Sequence, residues 1–196
     1  MAEIALFHSA LGVRPGITDA AERLRTDGHV VLVVDQYGGR VFNDQAEAGR
    51  YVEGLGFPEL MRRAVEAVEE LADGFLVAGF SNGAGMAEHV ATRRRCGGAL
   101  LMSGALPLAL IGGPAWPSGT PVQLHLPTDD PLREQAWVDA FVADVRSAGA
   151  TVEVVEHPVA GHLFTDASRP EEYDAAATEA LWARALPFCR TPGHVG

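Results

Sequence analysis

The sequence predicts an α/β fold: a doubly wound, mainly parallel sheet of about six strands with helices on both faces. Three observations predict it. Unbroken apolar runs at Ile4–Phe7, Val30–Val34, Phe75–Ala78 and Ala99–Met102 suit strands covered on both faces, and Val122–Leu126 and Val152–Val155 continue the series. Segments with helical spacing of apolar residues separate these runs, and such alternation implies right-handed crossovers between parallel strands. No repeat, low-complexity tract or composition shift divides the 196 residues, 47% of them hydrophobic, so one domain spanning residues 1–196 is expected.

The elements follow in order. After the first strand comes a loop, His8 to Gly16, and then a helix from Ile17 to Arg25. Asp27-Gly28 supplies the reversal before the second strand. Gln36 to Phe57 is polar and weakly periodic and reads as a long functional loop with room for one short helix. Pro58 suits a helix start. Leu60, Met61, Ala64, Val65, Val68, Leu71 and Ala72 then share a face, with Arg62, Arg63, Glu66, Glu69 and Glu70 mainly opposite. Asp73-Gly74 ends that helix before the third strand. Further helices are expected over Gly83–Arg94, Leu132–Ser147 and Glu171–Phe188, with Ser103–Thr120, rich in Gly, Pro and Ala, irregular.

Charge narrows the partners. A net charge of −11 argues against nucleic acid or an anionic membrane, since both need a basic face. The one basic run, Arg93-Arg94-Arg95, falls where a helix ends and reads as a solvated end that complements the helix dipole. Cys96 and Cys189 lack metal-ligand spacing and are too few for a disulfide framework, so reduced thiols and a cytoplasmic setting are the expectation. The N-terminal residues show no signal-peptide pattern, and no apolar run is long enough to span a membrane.

Chemistry concentrates around Ser81. Gly79-Phe80-Ser81-Asn82-Gly83 fits GxSxG directly after an apolar strand and before a helix, a setting in which a sharp strand-to-helix turn pushes the serine hydroxyl clear of the sheet. The hydroxyl would stand at a helix N-terminus, where outward N–H groups stabilise negative charge. In a chain with 22 glycines the pattern alone is unspecific, and a phosphate-cradling turn would look similar. This one has neither the Walker lysine nor GxGxxG. A serine also needs a base, and the base an orienting acid. Asp129 and Asp130 follow the fifth strand and His162 follows the sixth, beside Gly161 and the apolar pair Leu163-Phe164. Serine, acid, histidine is the chain order expected of α/β-hydrolases.

These segments together resemble the dienelactone hydrolase family across nearly the whole chain. Gly79–Gly83 is similar to its nucleophile elbow, Pro121–Asp130 to its acid strand and Ala160–Phe164 to its histidine loop; His8–Gly12 and Val34–Tyr37 are similar to its early loops. The resemblance implies a minimal α/β-hydrolase fold without a cap domain, and it favours Asp130 over Asp129, which could instead cap the next helix. The chain also departs from the family. Ser81 replaces the namesake enzyme's cysteine, Ser9 stands at a glutamate position, and Asp166 occupies the place of an arginine that contacts a substrate carboxylate, so diene-lactone substrates do not carry over.

The expected chemistry is acyl transfer on small carboxylic esters, thioesters or lactones: Ser81 as nucleophile, His162 as base, Asp130 as its orienter, and the backbone N–H groups of Asn82 and Ala10 as oxyanion donors. It requires no cofactor and no metal. Leu11, Tyr37, Phe164 and Trp116 are candidate pocket walls. His8 could contact substrate or serve structure, His125 reads as core, and His29, His89, His157 and His194 are assigned no role. A catalytically idle relative used for binding would show the same residues.

Overall fold

A computed structural model describes residues 1–192; His194 lies outside them. The strands are β1 (Glu3–Phe7), β2 (Val30–Val34), β3 (Leu76–Phe80), β4 (Gly98–Met102), β5 (Val122–Pro127) and β6 (Val152–His157). The helices are α1 (Pro15–Thr26), α2 (Gln45–Leu55), α3 (Phe57–Ala67), α4 (Asn82–Ala91), α5 (Gln135–Ser147) and α6 (Ala175–Arg190). The strands form one sheet in the order β2-β1-β3-β4-β5-β6, with every pairing parallel.

Alternation along the central strands builds two cores. Ile4 and Leu6, Leu76, Ala78 and Phe80, and Leu100 and Met102 join α1 and α6 on one face. Ala5 and Phe7, Val77, and Ala99 and Leu101 face α3, α4 and α5 on the other. This period of two is the pleat expressed in packing. Burying each such large side chain stabilises the fold by about 1.5–3 kcal/mol. The outer strand β2 leaves Val30 and Leu32 exposed. Among the described residues, no helix is long and apolar enough to cross a membrane.

Several element boundaries differ from expectation, and in four helices a local reason is visible. Residues 45–55 form an eleven-residue helix rather than a mostly open loop, started by Asp44, whose side chain accepts from the Glu47 amide at 2.7 Å. Helix α3 stops at Ala67, giving way to turns in which Val68, Glu69 and Leu71 each bond three residues back. Helix α5 begins at Gln135, not Leu132, because Pro131 and the bond from the Leu132 amide to the Asp130 side chain hold residues 130–133 in a turn. Helix α6 begins at Ala175, where the Asp174 carboxylate caps the Ala177 amide, and it continues to Arg190.

The sheet order reverses between β1 and β3: the crossover from β1 leads outward to β2, and the chain then returns to β3 on the other side of β1. Loops leaving the carboxyl ends at such a switch point diverge and open a crevice. The loop after β1 holds Ala10 and the turn after β3 holds Ser81.

Candidate active site

Ser81 sits where β3 meets α4, with φ 54° and ψ −116°. A non-glycine residue in that region is strained, at a cost of about 1–3 kcal/mol, and persists only where its surroundings impose it. The two flanking glycines impose it. A Cβ on Gly79 would strike the Gly83 carbonyl, and a Cβ on Gly83 would strike the carbonyls of Phe7 and His8. Glycine there lets the helix start press against both its own strand and the end of β1, beside the loop that contains Ala10. Among the described residues, neither the Asn82 amide nor the Ala10 amide has a hydrogen-bond partner.

His162 and Asp130 reach this turn from two other strand ends. His162 Nε2 lies 2.6 Å from Ser81 Oγ, and His162 Nδ1 lies 2.6 Å from Asp130 Oδ2. With the acid ionised, Nδ1–H donates to Asp130 and Nε2 is left to accept from the serine hydroxyl. The second carboxylate oxygen, Oδ1, accepts from the Leu132 amide at 2.8 Å, so the acid is held from two sides. Asp130 is buried. Asp129 is exposed, its carboxylate accepts from the Thr128 hydroxyl at 3.3 Å, and it caps no helix.

The histidine loop is braced from below. The Leu163 amide donates to Glu172 Oε2 at 2.6 Å, and Gly161 lies so close to the Glu172 carbonyl that a Cβ would overlap it. Arg169 bonds the same glutamate. Asp166, where the resemblance places an arginine, pairs instead with buried Arg14 at 3.2 Å. That guanidinium also donates to Ser168, Asn43 and the Phe42 carbonyl. Sequence reading missed Glu172; its spacing from His162 gives no local signal.

A cavity of about 220 Å³ opens over Ser81, Asp130 and His162. The remaining walls come from Ser103–Leu106, from Leu126, from Leu132 to Glu134, from Trp137 and Val138, and from Phe57. The expected walls are elsewhere. Leu11 and Phe164 are fully buried in the α1/α6 core, and Tyr37 is buried in the other core against His8, with ring centroids 4.4 Å apart. All three lie next to site loops but are buried in the protein and do not line the cavity. Trp116 is buried too, donating from Nε1 to the Thr120 carbonyl and packing edge-on against Phe141. A signal for the true walls was available, since Leu132 to Val138 immediately follow the acid.

Among the described residues, the other histidines are occupied. His8 bonds the Ser9 carbonyl at 2.7 Å through Nδ1 and the Gln36 amide at 3.1 Å through Nε2, which commits both nitrogens to structure. His125 is core, lying between Gln123 and His157, and burial lowers its pKa to about 3. Both thiols are free and buried, and burial pushes them up to about 12, so neither is poised as a nucleophile.

Comparison with known proteins places this geometry in context. The chain is similar to a dienelactone hydrolase-like promiscuous phosphotriesterase, P91, from metagenomic libraries: TM-score 0.81 and 21% identity, covering 97% of this chain and 86% of that one. It is also similar to a structure named m3DLH, with TM-score 0.78, 20% identity and coverage of 96% and 85%. A dienelactone hydrolase from Anabaena variabilis follows at TM-score 0.66, 18% identity and coverage of 96% and 86%. These identities speak for the fold. No curated protein sequence matches the chain. The model of the dienelactone hydrolase family matches residues 2–192, the span that carries the elbow, the acid turn and the histidine loop, and the chain therefore belongs to the dienelactone hydrolase family.

Proposed function

We propose that this family member is a serine hydrolase that cleaves small carboxylic ester, thioester or lactone bonds through an acyl-enzyme. The observation that supports this most is the unbroken hydrogen-bond chain from Asp130 through His162 to Ser81 at the floor of a cavity. His162 Nε2 takes the hydroxyl proton as Oγ attacks the carbonyl carbon, and Asp130 stabilises the imidazolium that results. The carbonyl oxygen, now negative, receives the free amides of Asn82 and Ala10, where losing one such donor typically costs about 3–4 kcal/mol of barrier. His162 then returns the proton to the leaving oxygen or sulfur. Water, deprotonated by the same imidazole, cleaves the acyl-serine and frees Ser81.

The test is direct. Incubation with a fluorophosphonate probe and intact-mass measurement is expected to give one adduct per chain, absent from Ser81→Ala. A panel of short-chain nitrophenyl esters should be hydrolysed by the parent and not by the variant. No adduct would overturn the nucleophile assignment; an adduct without turnover on any ester would identify an idle relative.

A further inference from the structure

The cavity above Ser81 has a chemical bias. Its rim carries three large apolar side chains that stand in water: Phe57, Leu132 and Trp137, 46%, 52% and 42% exposed. Below them Leu126 and Val138 are buried. Exposed apolar groups gathered around one concavity mark a binding surface for an apolar ligand, whereas scattered ones need no explanation.

Charge points the same way. Asp130, Arg133, Glu134 and His162 are the charged or titratable groups lining the cavity. Arg133 is its one guanidinium, and it is committed elsewhere. Its Nε donates to Gln135 Oε1 at 2.8 Å, Nη2 to Glu156 Oε1 at 2.7 Å and Nη1 to the Pro127 carbonyl at 3.3 Å. A substrate carboxylate entering here would lose water beside Asp130 and Glu134 and meet no free cation among the described lining residues. An unpaired charge in such a place is strongly disfavoured.

Building on the serine-hydrolase reading, we propose that this site takes uncharged esters with an apolar substituent lodged against Leu132 and Trp137, and that it rejects esters bearing a carboxylate there. Leu132 is the specificity-determining position. It stands at the mouth, and its backbone amide, not its side chain, holds Asp130, so its side chain can change without disturbing the acid.

Two isosteric pairs test this, each exchanging an isopropyl group for a carboxylate. On the acyl side these are 4-nitrophenyl 6-methylheptanoate and 4-nitrophenyl hydrogen adipate. On the alcohol side they are 4-isopropylphenyl acetate and 4-carboxyphenyl acetate, with all rates normalised to hydroxide-catalysed hydrolysis. In at least one pair, kcat/KM is expected to favour the neutral ester by about 30-fold or more at low salt. Leu132→Arg should shrink that ratio by about tenfold, through a lower KM for the anionic member, because it supplies the missing cation. Equal or better use of the anionic ester in both pairs would overturn the proposal, as would an unchanged ratio in Leu132→Arg. Turnover of neither pair by a chain whose Ser81 labels with fluorophosphonate also overturns it. Absent labelling instead defeats the serine-hydrolase reading beneath it.

Discussion

A serine forced to φ 54° is held by its neighbours' lack of side chains, and that makes a sharp prediction. Gly79→Ala drives a methyl into the Gly83 carbonyl, so the elbow must open. Ester hydrolysis is expected to fall by about 100-fold or more, with a loss of about 1–3 kcal/mol in urea unfolding, although the substituted residue touches no substrate. The acid makes a second test. Asp130→Asn removes the charge facing His162 and leaves an amide that disturbs the ring's tautomer; kcat should drop by about 10³–10⁴. Asp129→Asn, on an exposed side chain, should change kcat less than about twofold. At this scale the sequence was informative about types and silent about direction. Ser81 and His162 were legible because glycines and strand ends frame them. Choosing between adjacent aspartates turned on which one the turn at Pro131 buries, and Leu11, Tyr37 and Phe164 failed as walls because loop proximity does not say which way a side chain points.

Helix α4 does more than follow Ser81 out of the strand-to-helix turn. Glu88, on its fully enclosed face, accepts among the described residues only from the Leu106 amide, at 3.1 and 3.2 Å to its two oxygens, and thereby ties the helix to the segment that forms one wall of the cavity. Burial raises its pKa well above 4.5. Above about pH 4.5 the unfolded chain therefore releases a proton that the folded chain keeps, and folding becomes progressively less favourable up to the folded pKa. Glu88→Gln retains an acceptor for Leu106 and removes that dependence. Its Tm relative to the parent should rise by about 3 °C between pH 4.5 and pH 8, as followed by calorimetry; a pH-independent difference would count against a neutral buried acid. Helix α2 shows what a dilute pattern conceals. Ala48, Tyr51, Val52 and Leu55 have helical spacing, and Asp44 with Glu47 offers a start signal, but Gly49 and Gly54 weaken the propensity and the apolar count is low. The capping contact and burial of Ala48 and Val52 decide the matter.

For the molecule as a whole, the legible part was the sheet. Six apolar segments separated by helices are enough to imply parallel strands, because each crossover must pass over a face, and the central strands' unbroken runs match their burial on both sides. The placement of β2 at an edge was less visible, since Val30 and Leu32 are as apolar as buried residues yet remain exposed. Four buried histidines act in acid with the opposite sign to Glu88, and they outnumber it. His8, His89, His125 and His157 all have pKa values lowered chiefly by burial. As pH falls through about 6.5 the unfolded chain takes up protons that these rings refuse, His125 until about 3, so stability is lost across that window. Thermal unfolding at pH 7, 5 and 4 should show a falling Tm, with a shallower fall in His125→Asn. The reversal of sheet order has a consequence in time. The nucleophile's strand leaves the ribosome while 81 residues still separate Ser81 from its imidazole partner, so on the proposed chemistry a nascent or prematurely ended chain carries an inert alcohol. Reactivity arrives only once the segment bearing Glu172 has followed and can clamp the emerging loop in place.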